Sequence, residues 1–587
     1  MTPRNDPPDR RAAAATRRDF LRLSGWTLGG LALGGGAGAA ASLAADAARR
    51  PEGENVPGFE HVVVLMGENR SFDNLLGHLY TPSDLPAGDT FEGIAFGDYS
   101  NTAPDGRVVP AHVYTGSTDQ IMSAPEPDPG ETYPHVNTQL FDTVDPGSNE
   151  TDWSHGLRAP YNAPADGQSA TMGGFVRDYI ANFRRTSRGR EPSSARADVI
   201  MGGFSPAMLP VLSTLAREFA VFDHWHCAVP SQTYCNRSFF HASTSHGFVT
   251  NRGGGGYGKW LDAPDSPTIF NRLEEAGVSW RIYFDEQQLV SLTGVMHAPA
   301  LEKYWRTDRF AYMDRFFSDA AAGTLPAYAF IEPRMVYNHN DFHPPFGVVR
   351  DTEVDGEPVF DSAVSDVRAG EALVASVYDA IRTSSATTGS HALNTLLLIT
   401  FDEHGGTYDH VPPPSAVPPD PEGPEGEMGF RFDRLGPRVP AIAVSAYTRA
   451  GTIVHDERHH GAVIATLSAL HGLEPLTDRD RDAATLFDVT NLTDPRHPST
   501  WPTVTPAYVP PLLDEDQLAE LRSSPKPLTS PAKGLLGLLL AKYGGADHPD
   551  PETYQDAYEI LTAHGLGLFT SGGASPSATP SATSGPS

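Results

Sequence analysis

The sequence predicts an α/β fold with a mainly parallel central sheet covered by helices on both faces. Two observations lead there. Short, nearly continuous apolar runs at 61–66, 280–284, 327–331, 395–401 and 441–445 read as strands buried on both sides. Segments with apolar residues at helical spacing fall between those runs, the alternation that builds a sheet sandwiched by helices. A strand with one wet face would instead alternate apolar and polar residues.

From the N-terminus, Thr16-Arg17-Arg18-Asp19-Phe20-Leu21-Arg22 precedes a weakly apolar Gly/Ala-rich stretch, with a small-x-small site at Ala45-Asp46-Ala47. This resembles a twin-arginine signal over residues 1–47, implying passage through the twin-arginine export machinery and a secreted or extracytoplasmic mature chain. The stretch is too Gly-rich for a stable membrane span, which takes roughly 20 strongly apolar residues. Met208, Val211, Leu212, Leu215 and Phe219 share one helical face, as do Leu373, Val374, Val377 and Ile381, and residues 462–473 predict a third helix. Seven prolines in 412–424 predict an irregular loop. The apolar run 535–540 predicts a buried helix within a helical extension at 501–570, following a catalytic domain at 48–500. The Ser/Pro/Ala/Thr/Gly tail 571–587 is expected to be disordered.

Charge and cysteine content narrow the function. The 587 residues carry 43 Lys+Arg against 73 Asp+Glu, a formal charge of −30, which disfavours nucleic-acid binding and docking on anionic lipid. Two cysteines exclude a disulfide-built scaffold and a thiolate-rich zinc protein. Cys227 and Cys235 could still bridge outside the cytoplasm or remain free thiols.

In open α/β sheets ligands bind beyond the carboxyl ends of the strands. The first strand run ends in Gly67-Glu68-Asn69-Arg70-Ser71-Phe72-Asp73, and the run 395–401 in Asp402-Glu403-His404-Gly405-Gly406-Thr407-Tyr408-Asp409-His410. Hard oxygen donors at one sheet edge suit a divalent cation. A third string, Thr233-Tyr234-Cys235-Asn236-Arg237, offers a hydroxyl that a neighbouring metal would activate and a guanidinium suited to phosphoryl oxygens.

Together these strings resemble the phosphoesterase family, which includes non-specific phospholipases C and a secreted acid phosphatase and has an alkaline-phosphatase-like fold. Glu332-Pro333-Arg334, Asn340-Asp341-x-His343-Pro344 and Arg434-Leu435-Gly436-x-Arg438 extend the resemblance over about residues 60–490. It implies that Glu68, Asn69, Asp402 and Glu403 hold one divalent ion and that Thr233 attacks phosphorus to give a phosphothreonine. Asn236, Arg237, Asn340 and His404 would bind substrate, and His343 and His460 would act in catalysis. Three positions depart from the family pattern. Cys235 stands for a usual proline, and His459 for an acid before His460. The Asp-x-Gly-His segment reads Asp145-Pro146-Gly147-Ser148, with His135 or His155 as substitutes for the missing histidine.

The Glu403-His404-Gly405-Gly406 form favours a phospholipase C acting on phospholipid over a phosphatase acting on small monoesters. The rival from another class is an inactive secreted binding protein. A sulfatase is disfavoured because the proline after Cys227 falls one position late and no arginine follows.

Overall fold

A computed structural model describes residues 58–569 apart from 152–155, 265, 355, 364, 512, 546 and 547. The export segment expected at 1–47, the tail expected at 571–587 and His155 lie outside the described residues. Strands β1 (His61–Gly67), β2 (Ala220–Phe222), β3 (Trp280–Phe284), β4 (Phe310–Tyr312), β5 (Tyr328–Ile331), β6 (Thr395–Phe401), β7 (Ala441–Val444) and β8 (Thr452–Val454) form one sheet. Its order is β8-β2-β7-β6-β1-β5-β3-β4. Only β7 opposes its neighbours; every other pairing is parallel. The five apolar runs of the sequence are all strands here. The three strands that periodicity does not show, β2, β4 and β8, are three residues long, too short to carry a repeat.

Helices cover both faces. Trp280 and Tyr283 lie an odd number of residues apart on β3 and so point to opposite sides. Phe270, on helix α5 (Ile269–Glu275), packs on Trp280 with ring centroids 4.9 Å apart. Phe316, on α6 (Met313–Ala322), packs on Tyr283 at 5.3 Å. Helix α7 (Val367–Arg382) joins α6 on its side and also touches α3 (Pro210–Glu218). Helix α4 (Thr233–Ala242) packs with α5 and with α8 (Gly461–His471). Two further helices, α1 (Tyr133–Phe141) and α2 (Phe175–Thr186), pair with each other beside the site.

Most of each expected helical face is buried, while Met208 and Leu373 are half-buried and Met208 and Phe219 lie just outside α3. Val211, Leu212 and Leu215 of α3 are fully enclosed, as are Val374 and Val377 of α7. Glu371 of α7 accepts from the free amides of Val211 (3.1 Å) and Leu212 (2.7 Å), capping α3 where Pro210 begins it. The run 535–540 falls largely in α9 (Ser530–Leu539), whose leucines are buried in the same core as the sheet. No helix among the described residues is long and apolar enough to cross a membrane.

Candidate active site

The site begins with strand register. Gly67 of β1 stands opposite Phe401 of β6, so Glu68 and Asp402 leave adjacent parallel strands side by side. The Asn69 amide donates to Asp402 Oδ1 at 3.0 Å, and the Arg70 amide to the Glu403 carbonyl at 3.0 Å, stitching the two strand ends together. Asn69 adopts φ 55°, a left-handed conformation that asparagine tolerates. Gly405 lies against it: a Cβ there would come within 2.0 Å of the Asn69 carbonyl oxygen, and φ is +62°. Gly406, at φ +66°, leaves room for the Gly130 carbonyl, which a Cβ would meet at 2.4 Å. The two glycines therefore let the 69 and 130 segments close on Glu403.

Thr233 is the first residue of α4, with Gln232 extended before it. Its hydroxyl lies 3.4 Å from Glu68 Oε2 and 3.5 Å from Asn69 Oδ1. One turn on, Arg237 bonds Glu68 Oε1 and sits 3.5 Å from Asp402 Oδ2. Thr233, Arg237, Glu68, Asn69, Asp402 and Glu403 are all completely buried. The structure thus gathers six sequence-predicted residues into one cluster. Asn236 is on the same helix but its amide is spent on backbone: Oδ1 accepts from the Val229 amide (2.9 Å), and Nδ2 donates to the Val229 and Ser231 carbonyls (3.1 and 2.8 Å). It shapes the loop that leads into Thr233. Cys235 and Cys227 are separate buried thiols, so no disulfide spans that loop.

Burial raises the carboxyls of Glu68 and Glu403 well above the ordinary range and raises Asp402 too; the Arg237 charge offsets only part of the desolvation of Glu68 and Asp402. Asp402 Oδ2 and Glu403 Oε1 accept no hydrogen bond. Buried anionic oxygens without donors call for a cation. The set of Glu68, Asp402 and Glu403 carboxylates with the Asn69 amide oxygen fits a divalent one.

Two residues missed in the sequence join this group. Glu131 accepts from Asn69 Nδ2, and burial together with the Glu403 charge pushes its carboxyl well up. Asp128 lies beside it. The segment Asp128-Pro129-Gly130-Glu131 has the Asp-x-Gly spacing sought at 145–148, with Glu131 where a histidine was expected. That spacing was the available signal. The 145–148 segment instead closes a loop, its Asp145 amide on Asn162 Oδ1 at 3.0 Å. His135 bonds Asp178 at 2.7 Å.

The remaining predicted residues have defined places. His404 Nε2 lies 2.8 Å from Gln139 Oε1, and Gln139 in turn bonds Asp178 at 2.9 Å, so a chain from α2 through α1 fixes the His404 ring, whose Nδ1 faces Glu403 Oε2 at 3.2 Å without a hydrogen bond. His460 Nε2 is 2.6 Å from the Asp402 carbonyl, and its Nδ1 accepts from the Trp225 indole at 3.3 Å. Both ring nitrogens are engaged, and burial lowers its pKa to about 4. His343 Nδ1 lies 2.6 Å from the Pro344 carbonyl, so that nitrogen carries the proton and Nε2 presents a lone pair; burial lowers its pKa to about 4 as well. Asn340 closes a turn, its Oδ1 accepting from the Arg334 amide at 2.6 Å. A second acid–histidine group, Asp73, Asp409 and His410, is already balanced by Arg438, which bonds Asp409 at 2.9 Å and Asp73 at 3.0 Å. It locks the two strand-end segments together.

The phosphoesterase family profile matches residues 59–474. Non-specific phospholipase C6 of Arabidopsis thaliana is 32% identical over 480 residues, covering 78% of each chain. Phospholipase C B of Mycobacterium tuberculosis is 25% identical over 474 residues, 75% of this chain and 79% of its own. Non-hemolytic phospholipase C of Pseudomonas aeruginosa is 24% identical over 498 residues, covering 78% of this chain and 61% of its own. The paired strand ends and the Thr233 helix start lie within the matched span, and the chain belongs to the phosphoesterase family, as a hydrolase acting on phosphoric ester bonds.

Proposed function

We propose that this chain is a metal-dependent phospholipase C, cleaving phospholipids such as phosphatidylcholine into diacylglycerol and a phosphorylated head group. The observation that carries the proposal is the Thr233 hydroxyl, at the start of α4, set against Glu68 and Asn69. The names of the relatives support a phospholipid substrate.

Thr233 Oγ1 attacks phosphorus while its proton passes toward Glu68 Oε2. The phosphorus–oxygen bond to diacylglycerol breaks, the proton taken up by Glu68 passes on to the leaving oxygen, and diacylglycerol departs as the alcohol. Water then attacks the phosphothreonine, freeing the phosphorylated head group and restoring the hydroxyl. The N-terminal end of α4 directs its positive dipole end at the phosphoryl oxygens. Buried Arg237 adds a fixed cation in a water-excluded site, where charge stabilisation is strongest. A divalent ion held by Glu68, Asn69, Asp402 and Glu403 would ease loss of the Thr233 proton and offset charge on phosphorus oxygens. His460 acts as a positioning residue through the Asp402 backbone.

The test compares phosphatidylcholine with p-nitrophenyl phosphate for the wild type and Thr233→Ala. Phosphatidylcholine turnover should dominate and fall by about a thousandfold or more in the variant. Dominant monoester turnover would make the protein a phosphatase, and absence of both activities would make it a binding protein. The 1–47 segment supports twin-arginine export of the folded chain. Replacing Arg17 and Arg18 with lysine should retain the precursor inside the cell; unchanged export would overturn that part.

A further inference from the structure

We propose that Asp128, Glu131 and His343 hold a second divalent cation beside the one assigned to Glu68, Asn69, Asp402 and Glu403. One ligand atom from each of the three residues lies within 4.8 Å of the others, and all three side chains are buried. His343 supplies the observation that points to a ligand. It is fully buried, its Nδ1 proton is spent on the Pro344 carbonyl at 2.6 Å, and its Nε2 has no partner. A ring held by Nδ1–H on a backbone carbonyl, with a bare Nε2 lone pair, is the tautomer and orientation of a metal-ligating histidine.

The carboxylates point the same way. Asp128 Oδ1 is buried without a hydrogen bond. The guanidinium of Arg70 is near, but its bonds go to the Phe342 carbonyl (2.7 Å), Asn74 Oδ1 (3.2 Å) and the Ala124 carbonyl (2.6 Å), not to Asp128. Two buried acids with no paired cation are costly unless an ion joins them. Two carboxylates with one imidazole suit a first-row ion such as Zn2+ or Mn2+ better than Ca2+, which prefers oxygen alone. Glu131 connects the two groups, since it also accepts from Asn69 Nδ2. The second ion would thus sit next to the first, in the arrangement of two-metal phosphoryl-transfer centres.

The inference rests on the metal reading above only for the position of the neighbouring ion, and metal counting separates the two. Full-length protein is equilibrated with Zn2+ or Mn2+, freed of excess, and its bound metal measured. Wild type should hold two equivalents; a single equivalent that survives His343→Ala would overturn the proposal, whereas a single one lost in that variant would sink only the first-site reading. His343→Ala and Asp128→Asn should each lose one equivalent, while the Asp402→Asn, Glu403→Gln double variant should keep the His343-dependent one. If the double variant kept both, the first-site reading would fail and the second would stand. Should the variants not fold, Co2+ loaded into wild type gives the answer. Two spectroscopically distinct ions, one with a histidine nitrogen ligand, support the proposal. A single ion with oxygen ligands alone overturns it.

Discussion

The Thr233 hydroxyl lies 3.4 Å from Glu68 Oε2 although 165 residues separate them in the chain. The helix start and the strand end meet because β1 lies inside the sheet and α4 packs over it, with Phe240 of α4 against Phe330 of β5 at 5.8 Å. If this hydroxyl is the nucleophile, Thr233→Ser should keep activity within about tenfold and Thr233→Val should abolish it, since only the oxygen reacts. Acid-quenched wild-type enzyme should carry phosphate on the Thr233 peptide by mass spectrometry. Full activity in Thr233→Val would refute the assignment.

Chelation should remove both activity and stability. Without a cation, the buried carboxylates of Glu68, Asp402 and Glu403 face one another with only Arg237 to balance them. A bound ion present at a hundred times its Kd contributes about 2.7 kcal/mol. Thermal unfolding with and without chelator, followed by metal add-back, measures the difference. A transition indifferent to chelator would argue against a resident ion.

Gly405→Ala should leave the fold and damage the site. The new Cβ would stand 2.0 Å from the Asn69 carbonyl oxygen, and an alanine at φ +62° carries a penalty of about 1–2 kcal/mol. Asn69 must then move away from Glu403. We expect circular dichroism like the wild type and turnover reduced by at least about tenfold. Undiminished turnover would show that the Asn69 position is not critical.

Arg438→Leu should destabilise the protein without touching the reacting atoms. Arg438 also donates to the Glu92 and Asp223 carbonyls at 2.7 Å each, and its loss strands Asp73 and Asp409. Breaking a buried ion pair from one side costs about 3–5 kcal/mol. A urea unfolding midpoint equal to the wild type would show that the network adds little.

His455 should give stability a pH dependence. Its ring is 2.9 Å from Asp223 and 3.0 Å from Asp89, and the hydrogen bond to Asp223, helped by that to Asp89, raises its pKa to about 9. The folded value exceeds the ordinary 6.5, so this contribution is complete below pH 6.5 and disappears as pH rises through 9. The ring is partly exposed, so solvent screens the effect. Urea midpoints of wild type and His455→Gln should converge above pH 9; a constant gap from pH 6 to 10 would contradict this.

Much of the fold is visible in the sequence because buried parallel strands and amphipathic helices write their environment into local composition. The runs at 61–66 and 395–401 mark β1 and β6, and the acids that follow them mark the ligand edge. The three short strands left no pattern, since their place in the sheet comes from neighbours rather than from their own residues. Glu131 and Asp128 escaped for a related reason. They sit in an irregular segment that only the packing of Gly406 against Gly130 brings to Glu403.

The sequence by itself determined the sheet type, placed Glu68, Asn69, Asp402 and Glu403 at strand ends through local patterning, and through its motifs carried the family resemblance that adds Thr233 and Arg237, whose helix α4 local patterning did not show. Only the tertiary structure decided what the histidines do. Which ring nitrogen is free depends on how each ring is turned by the packing around it: His343 spends Nδ1 on the carbonyl of its neighbour Pro344 and leaves Nε2 bare, His460 meets the distant Trp225 indole and Asp402 carbonyl, and His404 meets the distant Gln139. A hydrogen bond is directional and acts over about 3 Å, so no spacing in the chain can announce it.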